Sequence, residues 1–189
     1  MTLKILVLCE ESGKVTKAFA DKGHDVASCD LLATRGQNIK HFQCDCRILD
    51  YSGVDIVIAF PPCTHLAVSG ARWFKFKEKE QKEALEFVKW IWNLPVKRIA
   101  IENPIGILSR KEHLGKPSQI IQPWQFGHGE TKATCLWLKN LPRLKASNIV
   151  EGRLARVHRM PPSKERSRLR SETYSGIANA IAEQWNDLP

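Results

Sequence analysis

Three short apolar runs, each ended abruptly by polar residues or proline, constrain the fold of this chain most. They are LKILVL at residues 3–8, DIVIAF at 55–60 and RIAIE at 98–102. Runs of this length between turn residues are typical of strands that are buried on both faces of a sheet. Helical periodicity follows the first two runs. Strands that alternate with helices predict an α/β fold with a mostly parallel sheet and helices on both faces.

The rest of the pattern completes one domain that spans residues 1–189. Further strands are predicted at 25–29, 41–44 and 134–138, and helices at 14–22 and 79–94. A final helix is predicted at 175–188, with Ser175 as its N-cap and Ile177, Ile181 and Trp185 on its buried side. Between the last strand and this helix, a basic segment at about 143–172 is predicted to be a loop.

Residues capable of chemistry follow most of these strands directly. Since ligands bind beyond the carboxyl ends of parallel strands, we expect these residues to line one edge of the sheet. The Ser12-Gly13 turn leads into a helix, whose first N–H groups are expected to approach the polar end of a cofactor. Asp30 is either a solvated turn residue or an acid that grips a ribose. In chain order the set is Glu10 to Gly13, Asp30, Asp45, Pro62-Cys63 and Glu102-Asn103.

The segment Phe60-Pro61-Pro62-Cys63-Thr64 has the features of a mounted nucleophile. Two prolines directly after a buried strand restrict the backbone and fix the direction of Cys63. A reactive thiol needs such a mount, whereas a buried structural cysteine does not. The following residues, 65–73, are predicted to form a loop that closes over a substrate.

Glu102-Asn103-Pro104 repeats this arrangement after a neighbouring strand. Glu102 is either a surface carboxylate or a partly buried acid, and the apolar run before it favours burial. Burial raises the pKa of a carboxyl group, which would suit Glu102 for protonating a nucleobase.

The chain carries a formal charge of +9, from 29 lysines and arginines against 20 acidic residues. This excess favours a polyanionic partner. It is concentrated in the basic segment, which is either a solvated loop or a nucleic-acid surface. From Arg143 to Arg170 its cations are Arg143, Lys145, Arg153, Arg156, Arg159, Lys164, Arg166, Arg168 and Arg170, opposed only by Glu151 and Glu165.

No run approaches the ~18 consecutive apolar residues of a membrane span, and no secretory signal is legible at residues 1–8. We therefore expect a cytoplasmic protein whose six cysteines are reduced thiols. Cys44 and Cys46 form C-x-C, which lacks the paired spacing of a zinc site. Small packed thiols are favoured over a structural metal, and no metal is expected.

Taken together, the motifs resemble those of the DNA cytosine-5 methyltransferases, and most closely the compact phage and prophage members. The resemblance runs in family order from Ile5 to Trp185, and its specific part is P-P-C together with E-N. It implies a Rossmann-like methyltransferase fold, S-adenosylmethionine as methyl donor, and double-stranded DNA with a flipped cytosine as substrate in a bacterial host cell. The motifs are S-G at 12–13, Asp30, P-P-C at 61–63, E-N-P at 102–104 and S-G-I-A-N-A at 175–180.

The resemblance also implies a role for each matching residue. Cys63 would attack carbon 6 of cytosine, and Glu102 would contact N3 and the exocyclic amine. Donor-binding residues would be Glu10, Ser12, Gly13, Asp30, Asp45, Pro61, Ser175 and Asn179. Substrate-binding residues would be Pro62, Thr64, Ser69, Arg72, Asn103, Arg156, Arg159, Arg166 and Arg168.

The chain departs from the family pattern at several points. The first-motif turn F-x-G-x-G is reduced to Glu10-Glu11-Ser12-Gly13, and the Q-x-R-x-R motif is not legible. His128 and Lys132 are candidate substitutes for its base-contacting arginine, or else a surface histidine and a solvated lysine. Only ~30 residues separate Leu144 from Tyr174, too few for a target recognition domain, so sequence readout should be short or loose.

Two other functions remain open on this sequence. One keeps the Cys63 chemistry on RNA, on a free nucleotide or in another C5 modification of a pyrimidine. The other is a catalytically silent nucleic-acid-binding module with the same fold. The presence of both Cys63 and Glu102 weighs against the silent module, which needs neither.

Overall fold

Seven strands in the described part of the chain form one sheet, with helices on both faces. The computed structural model describes residues 1–68, 77–163 and 165–188. The strands are β1 (Lys4–Leu8), β2 (Asp25–Asp30), β3 (Lys40–Gln43), β4 (Ile56–Ala59), β5 (Arg98–Pro104), β6 (Gln119–Ile121) and β7 (Thr134–Lys139). The α-helices are α1 (Lys14–Ala20), α2 (Glu78–Trp92), α3 (Arg156–Arg159), α4 (Arg166–Ser171) and α5 (Ser175–Gln184).

The strand order is β3-β2-β1-β4-β5-β7-β6. The first five strands are parallel, whereas β7 is antiparallel to both of its neighbours. The expected α/β fold with a mostly parallel sheet is therefore confirmed. The order reverses between β1 and β4, which makes the crevice beyond their carboxyl ends the place where a ligand is expected in such a sheet. The two segments that meet there are residues 9–13 and 60–63.

Alternating side chains of the strands pack into two cores. On one face, α1 and α5 cover β1 and β4, in a core that includes Ile5, Val7, Ile58, Phe19, Ile181 and Trp185. On the other face, α2 covers the same strands, in a core that includes Leu6, Leu8, Val57, Val88 and Ile91. Cys63 belongs to neither core, so its thiol is not a packing group of the interior. No helix in the described ranges is long and apolar enough to cross a membrane.

Several local expectations need correction. Tyr174, not Ser175, is the N-cap of α5, and Ser175 is the exposed first residue of the helix. Helix α1 ends at Ala20 because the chain turns at Gly23, where φ is +83°. The basic segment is not only loop, since it contains the short helices α3 and α4.

Candidate active site

Glu10 holds the turn between β1 and α1. Its Oε1 accepts a hydrogen bond from the Val15 N–H at 2.6 Å, and its Oε2 accepts from the Thr16 N–H at 3.2 Å and from the Thr16 hydroxyl at 2.6 Å. The side chain is almost fully buried, and burial raises its pKa to about 6 although these bonds lower it. Two of the first N–H groups of α1 are thus taken by Glu10. This corrects the expectation that they are free for a cofactor.

Two acids stand at the ends of the neighbouring strands. Asp30 is the partly buried last residue of β2, and its Oδ1 accepts from the Leu32 N–H at 2.9 Å. It lies close enough to Glu10 that its charge raises the pKa of Glu10. Asp45, after β3, is bound to Arg47 through the backbone N–H at 2.9 Å and an ion pair of 2.7 Å, and these bonds lower its pKa. Asp30 is therefore the more available carboxylate of the two.

The mount of Cys63 is built by β4 and β5 together. Pro61 is buried, Pro62 and Thr64 are exposed, and Cys63 between them is partly exposed. Asn103, which is 1% exposed, donates a hydrogen bond from Nδ2 to the Pro61 carbonyl at 2.8 Å. Asn103 therefore positions the proline turn, a role that differs from the substrate contact expected from its motif. Its buried Oδ1 has no partner among the described residues.

The chain after Cys63 is pinned to the end of β5. Ile107 N–H donates to the Leu66 carbonyl at 2.9 Å, and Val68 N–H donates to the Ile105 carbonyl at 3.1 Å. A Cβ at Gly106 would lie 2.0 Å from the Leu66 oxygen, so only glycine allows this approach. The turn that carries Cys63 is thus fixed on both of its sides. Ser69 and Arg72, which were expected to contact substrate, lie outside the described residues.

Glu102 faces a small cavity on the side of the sheet that α5 covers. Burial raises the pKa of its carboxyl group, whereas the charge of Lys132 and a hydrogen bond from Thr134 lower it. The expectation of a partly buried acid with a raised pKa is confirmed. The cavity is lined by Phe60, Glu102, Ile121, Lys132, Thr134, Leu136, Thr173, Tyr174, Ile177 and Ile181.

The charge of Glu102 acts on the Cys63 thiol, although Cys63 itself is not in the cavity lining. Burial raises the pKa of the Cys63 thiol, and the negative charge of Glu102 raises it further. The positive charges of Lys132 and, to a smaller extent, Arg170 lower it. The charges of three residues from separate parts of the chain, Glu102, Lys132 and Arg170, therefore act on the Cys63 thiol. Arg170 was not among the predicted site residues.

The two candidate substitutes for the missing arginine have different surroundings. Lys132 lines the cavity, and its Nζ donates to the Glu172 carbonyl at 3.3 Å. His128 instead accepts the Gly176 N–H at Nε2, at 3.0 Å, and its ring packs against Tyr174. His128 thus holds the start of α5, and Lys132 is the residue of the pair that faces the cavity.

Glu130 anchors the basic segment beside this cavity. Both of its carboxylate oxygens accept from Arg156 Nε at 2.9 Å, and Oε2 also accepts from the Tyr174 hydroxyl at 2.7 Å. Arg156 is therefore engaged in an internal ion pair rather than free for a phosphate. Glu130 was not identified from the sequence, because its partners lie 26 and 44 residues away.

Other cations of the basic segment are divided between internal and outward roles. Arg153 stacks on the Trp124 ring at 4.0 Å, and Arg168 pairs with Glu165. Arg159 is exposed on α3, and Arg166 is partly buried on α4. The segment therefore brings positive charge to the site, but not through every arginine that was expected to contact substrate.

The remaining residues that were expected to bind the methyl donor lie before α1 or on the first turns of α5. Ser12 is partly exposed and Gly13 is buried. Gly13 is the N-cap of α1, with φ of 69°. Ser175 and Asn179 are both exposed, one turn apart on α5. The Lys14–Glu172 ion pair of 2.9 Å links the two helix starts.

Neither protein-family models nor curated proteins match this sequence. The candidate site is therefore judged on its own geometry. That geometry consists of a thiol on a rigid turn, an enclosed carboxyl group on the adjacent strand, and a lysine and an arginine whose charges act on the thiol.

Proposed function

We propose that this chain methylates carbon 5 of cytosine in DNA, with S-adenosylmethionine as donor and Cys63 as covalent nucleophile. The observation that carries the proposal is the placement of Cys63 and Glu102 near the carboxyl ends of the adjacent parallel strands β4 and β5, which the Asn103–Pro61 hydrogen bond joins. A nucleophile and an acid so placed can act on two atoms of one small ring. The fold is compatible with a methyltransferase of the Rossmann-like class, which is part of the proposal.

The residues at the β1 and β2 ends fit such a donor in part. Asp30 uses Oδ1 for the Leu32 N–H, and Oδ2 remains open to a ribose hydroxyl within the described residues. Ser12 and Gly13 lie on the turn that faces the crevice between β1 and β4. Glu10 supports this turn from below, since its oxygens are used by α1. The donor, when bound there, would supply an electrophilic methyl group.

The chain's own residues account for activation of the base. The Cys63 thiolate adds to carbon 6, and Glu102 gives its proton to N3, so carbon 5 gains the electron density that it needs for attack. Burial raises the pKa of Glu102 and so favours its protonated form. Lys132 and Arg170 favour the thiolate by their charge. After methylation, loss of the C5 proton and elimination of the thiolate release the product.

Two observations support nucleic acid as the substrate. The formal charge of +9 favours a polyanion, and the positive charge of Arg170 in the basic segment acts on Cys63. A base drawn out of a duplex costs a few kcal/mol in lost stacking and pairing, which phosphate contacts must offset. Only short helices lie between β7 and α5 in the described residues, which supports loose sequence readout.

The direct experiment is a mass-spectrometric nucleoside profile of DNA from cells that express the protein, beside cells that express Cys63→Ala. We expect 5-methylcytosine only with the wild-type chain. The purified protein is then incubated with labelled S-adenosylmethionine and either duplex DNA, RNA or dCTP. Label in RNA or dCTP alone would replace DNA as the substrate, and label in none of the three would leave a silent binding module.

A mechanism-based trap tests the role of Cys63 separately. Duplex DNA that contains 5-fluorocytosine should hold the protein covalently, because fluorine cannot leave carbon 5 as the proton does. Peptide mapping should locate the adduct on Cys63. Cys63→Ala should form no adduct yet still bind the donor, and loss of donor binding in this variant would mean that the site is wrongly located.

A further inference from the structure

Four of the six cysteines lie together at the donor side of the sheet, apart from the proposed chemistry. The Cys29 Sγ is 3.9 Å from the Cys44 Sγ and donates a hydrogen bond to the Cys44 carbonyl at 3.3 Å. Cys9 and Cys46 lie beside them, close enough that each thiol affects the pKa of the other. All four are free thiols.

The arrangement is one of pairs. Across the described ranges, no group of three or more histidine, cysteine, aspartate or glutamate side chains could hold a metal ion. The Cys29 and Cys44 sulfurs are already in contact, and a disulfide needs them at about 2.05 Å. The required approach is therefore about 2 Å, within the reach of one loop residue.

The two sulfurs differ in access and in freedom to move. Cys29 is buried in β2, where the β1 and β3 ladders hold its backbone, and burial raises its thiol pKa to about 12. Cys44 is partly exposed and follows the last residue of β3. An oxidant therefore meets Cys44 first, and Cys44 is the residue that moves.

We propose that Cys29 and Cys44 are a redox modification site, which a peroxide converts into a reversible disulfide. The Cys44 sulfur attacks hydrogen peroxide, forms a sulfenic acid and releases one water. The Cys29 sulfur then attacks the Cys44 sulfur, the S–O bond breaks, and the Cys29 proton leaves with the hydroxyl group as a second water. Two thiols are oxidised by two electrons and the peroxide is reduced to two waters.

The consequence for the site follows from the neighbours of the pair. Cys29 precedes Asp30, and Cys44 precedes Asp45. A movement of Cys44 toward β2 displaces Asp45, which caps the turn at Cys46–Ile48 and pairs with Arg47. The disulfide therefore lowers the affinity of the chain for S-adenosylmethionine. This effect on donor binding rests on the proposed function.

The test uses the full chain, reduced or treated with hydrogen peroxide, and then digested without reduction. We expect a peptide linked through Cys29 and Cys44 that dithiothreitol removes. Cys44→Ser should not form the link. If circular dichroism shows that Cys44→Ser does not fold, Cys29→Ala takes its place and should not form the link either. Cys46→Ser is the matched control and should still form it. A Cys9–Cys46 link in its place, or no intramolecular link, overturns the modification site.

Equilibrium dialysis with S-adenosylmethionine separates the two levels of the proposal. Oxidation should weaken binding at least tenfold in the wild-type chain and leave Cys44→Ser unchanged. If the reduced and the linked forms bind the donor equally well, the disulfide does not regulate donor affinity, but the modification site itself still stands. If the reduced form does not bind the donor, both the regulation of donor affinity and the proposed function are overturned. The linked peptide still decides whether the modification site exists.

Discussion

Asn103 Nδ2 donates a hydrogen bond to the Pro61 carbonyl at 2.8 Å, and so one buried amide joins the strand that contains Glu102 to the turn that carries Cys63. Because Asn103 is 1% exposed, removal of the amide leaves a carbonyl without a partner in the interior. The relative placement of Cys63 and Glu102 thus depends on a residue that, on the proposed function, need not touch the substrate.

Asn103→Ala should therefore impair chemistry more than binding. Loss of the buried partner costs about 1–3 kcal/mol in stability, and misplacement of the thiol lowers kcat more than it raises KM. Thermal unfolding and steady-state kinetics measure the two effects. A variant that loses stability while kcat stays normal would show that the bond supports the fold and not the site.

Lys132→Met should move the pH dependence of the thiol. The positive charge of Lys132 lowers the pKa of Cys63, so its removal raises that pKa and shifts the rising limb of the rate profile to higher pH. Lys17→Met removes a lysine from the exposed side of α1 and is the matched control. Reactivity of the thiol with iodoacetamide, followed against pH, measures the same shift without turnover. An unchanged profile would remove Lys132 from the site.

Glu10→Gln should change how stability depends on pH. Burial raises the pKa of Glu10 from 4.5 to about 6, so the folded chain holds this proton more tightly than the unfolded chain does. Glu10 therefore adds stability as the pH falls from about 6 toward 4.5, on the order of 2 kcal/mol. The glutamine variant lacks that gain.

Urea unfolding at pH 7 and pH 5 measures the effect as a difference between wild type and variant. This difference cancels the contribution of other groups, including Glu102. Glu11→Gln, at the next position, is the control. Identical pH dependence in wild type and Glu10→Gln would place the Glu10 pKa at its ordinary value.

Gly176→Ala should destabilise the chain at the start of α5. A Cβ at this position would lie 1.8 Å from the Phe126 carbonyl oxygen, so the helix has to move away from the segment that contains His128. The expected loss is roughly 1–3 kcal/mol. Asn179→Ala, exposed on the same helix, should change stability by less than about 0.5 kcal/mol. Equal melting temperatures for the two variants would contradict this close contact.

The framework of the site could be predicted because it depends on local patterns. β1, β4 and β5 are apolar runs long enough to identify, and proline and glycine mark their ends. β6 escaped prediction, since it has three residues and its middle one, Ile120, is 51% exposed. Neither periodicity nor length distinguishes such a strand from a loop.

The side chains around the site were harder to assign, because distant partners decide their roles. Nothing near His128 in sequence indicates that it accepts the Gly176 N–H, 48 residues away. Likewise, which arginine of the basic segment acts on Cys63 depends on the path of that segment, and this path is held by the bond of Glu130 to Arg156. Glu10 was expected at a cofactor, but its carboxylate caps α1 because Val15 and Thr16 follow at the right spacing.

The wall of the Glu102 cavity combines Phe60, which directly follows β4, with Tyr174 and Ile181 from the α5 region, across more than half of the chain. During synthesis on a ribosome, the segments that contain Cys63 and Glu102 emerge well before Tyr174 and Ile181, which complete the wall. A nascent chain that stops after β7 therefore holds the thiol and the acid but leaves the carboxyl group open to water. Such a chain lacks the enclosure that raises the pKa of Glu102, so on the proposed function translation has to pass α5 before the site can act.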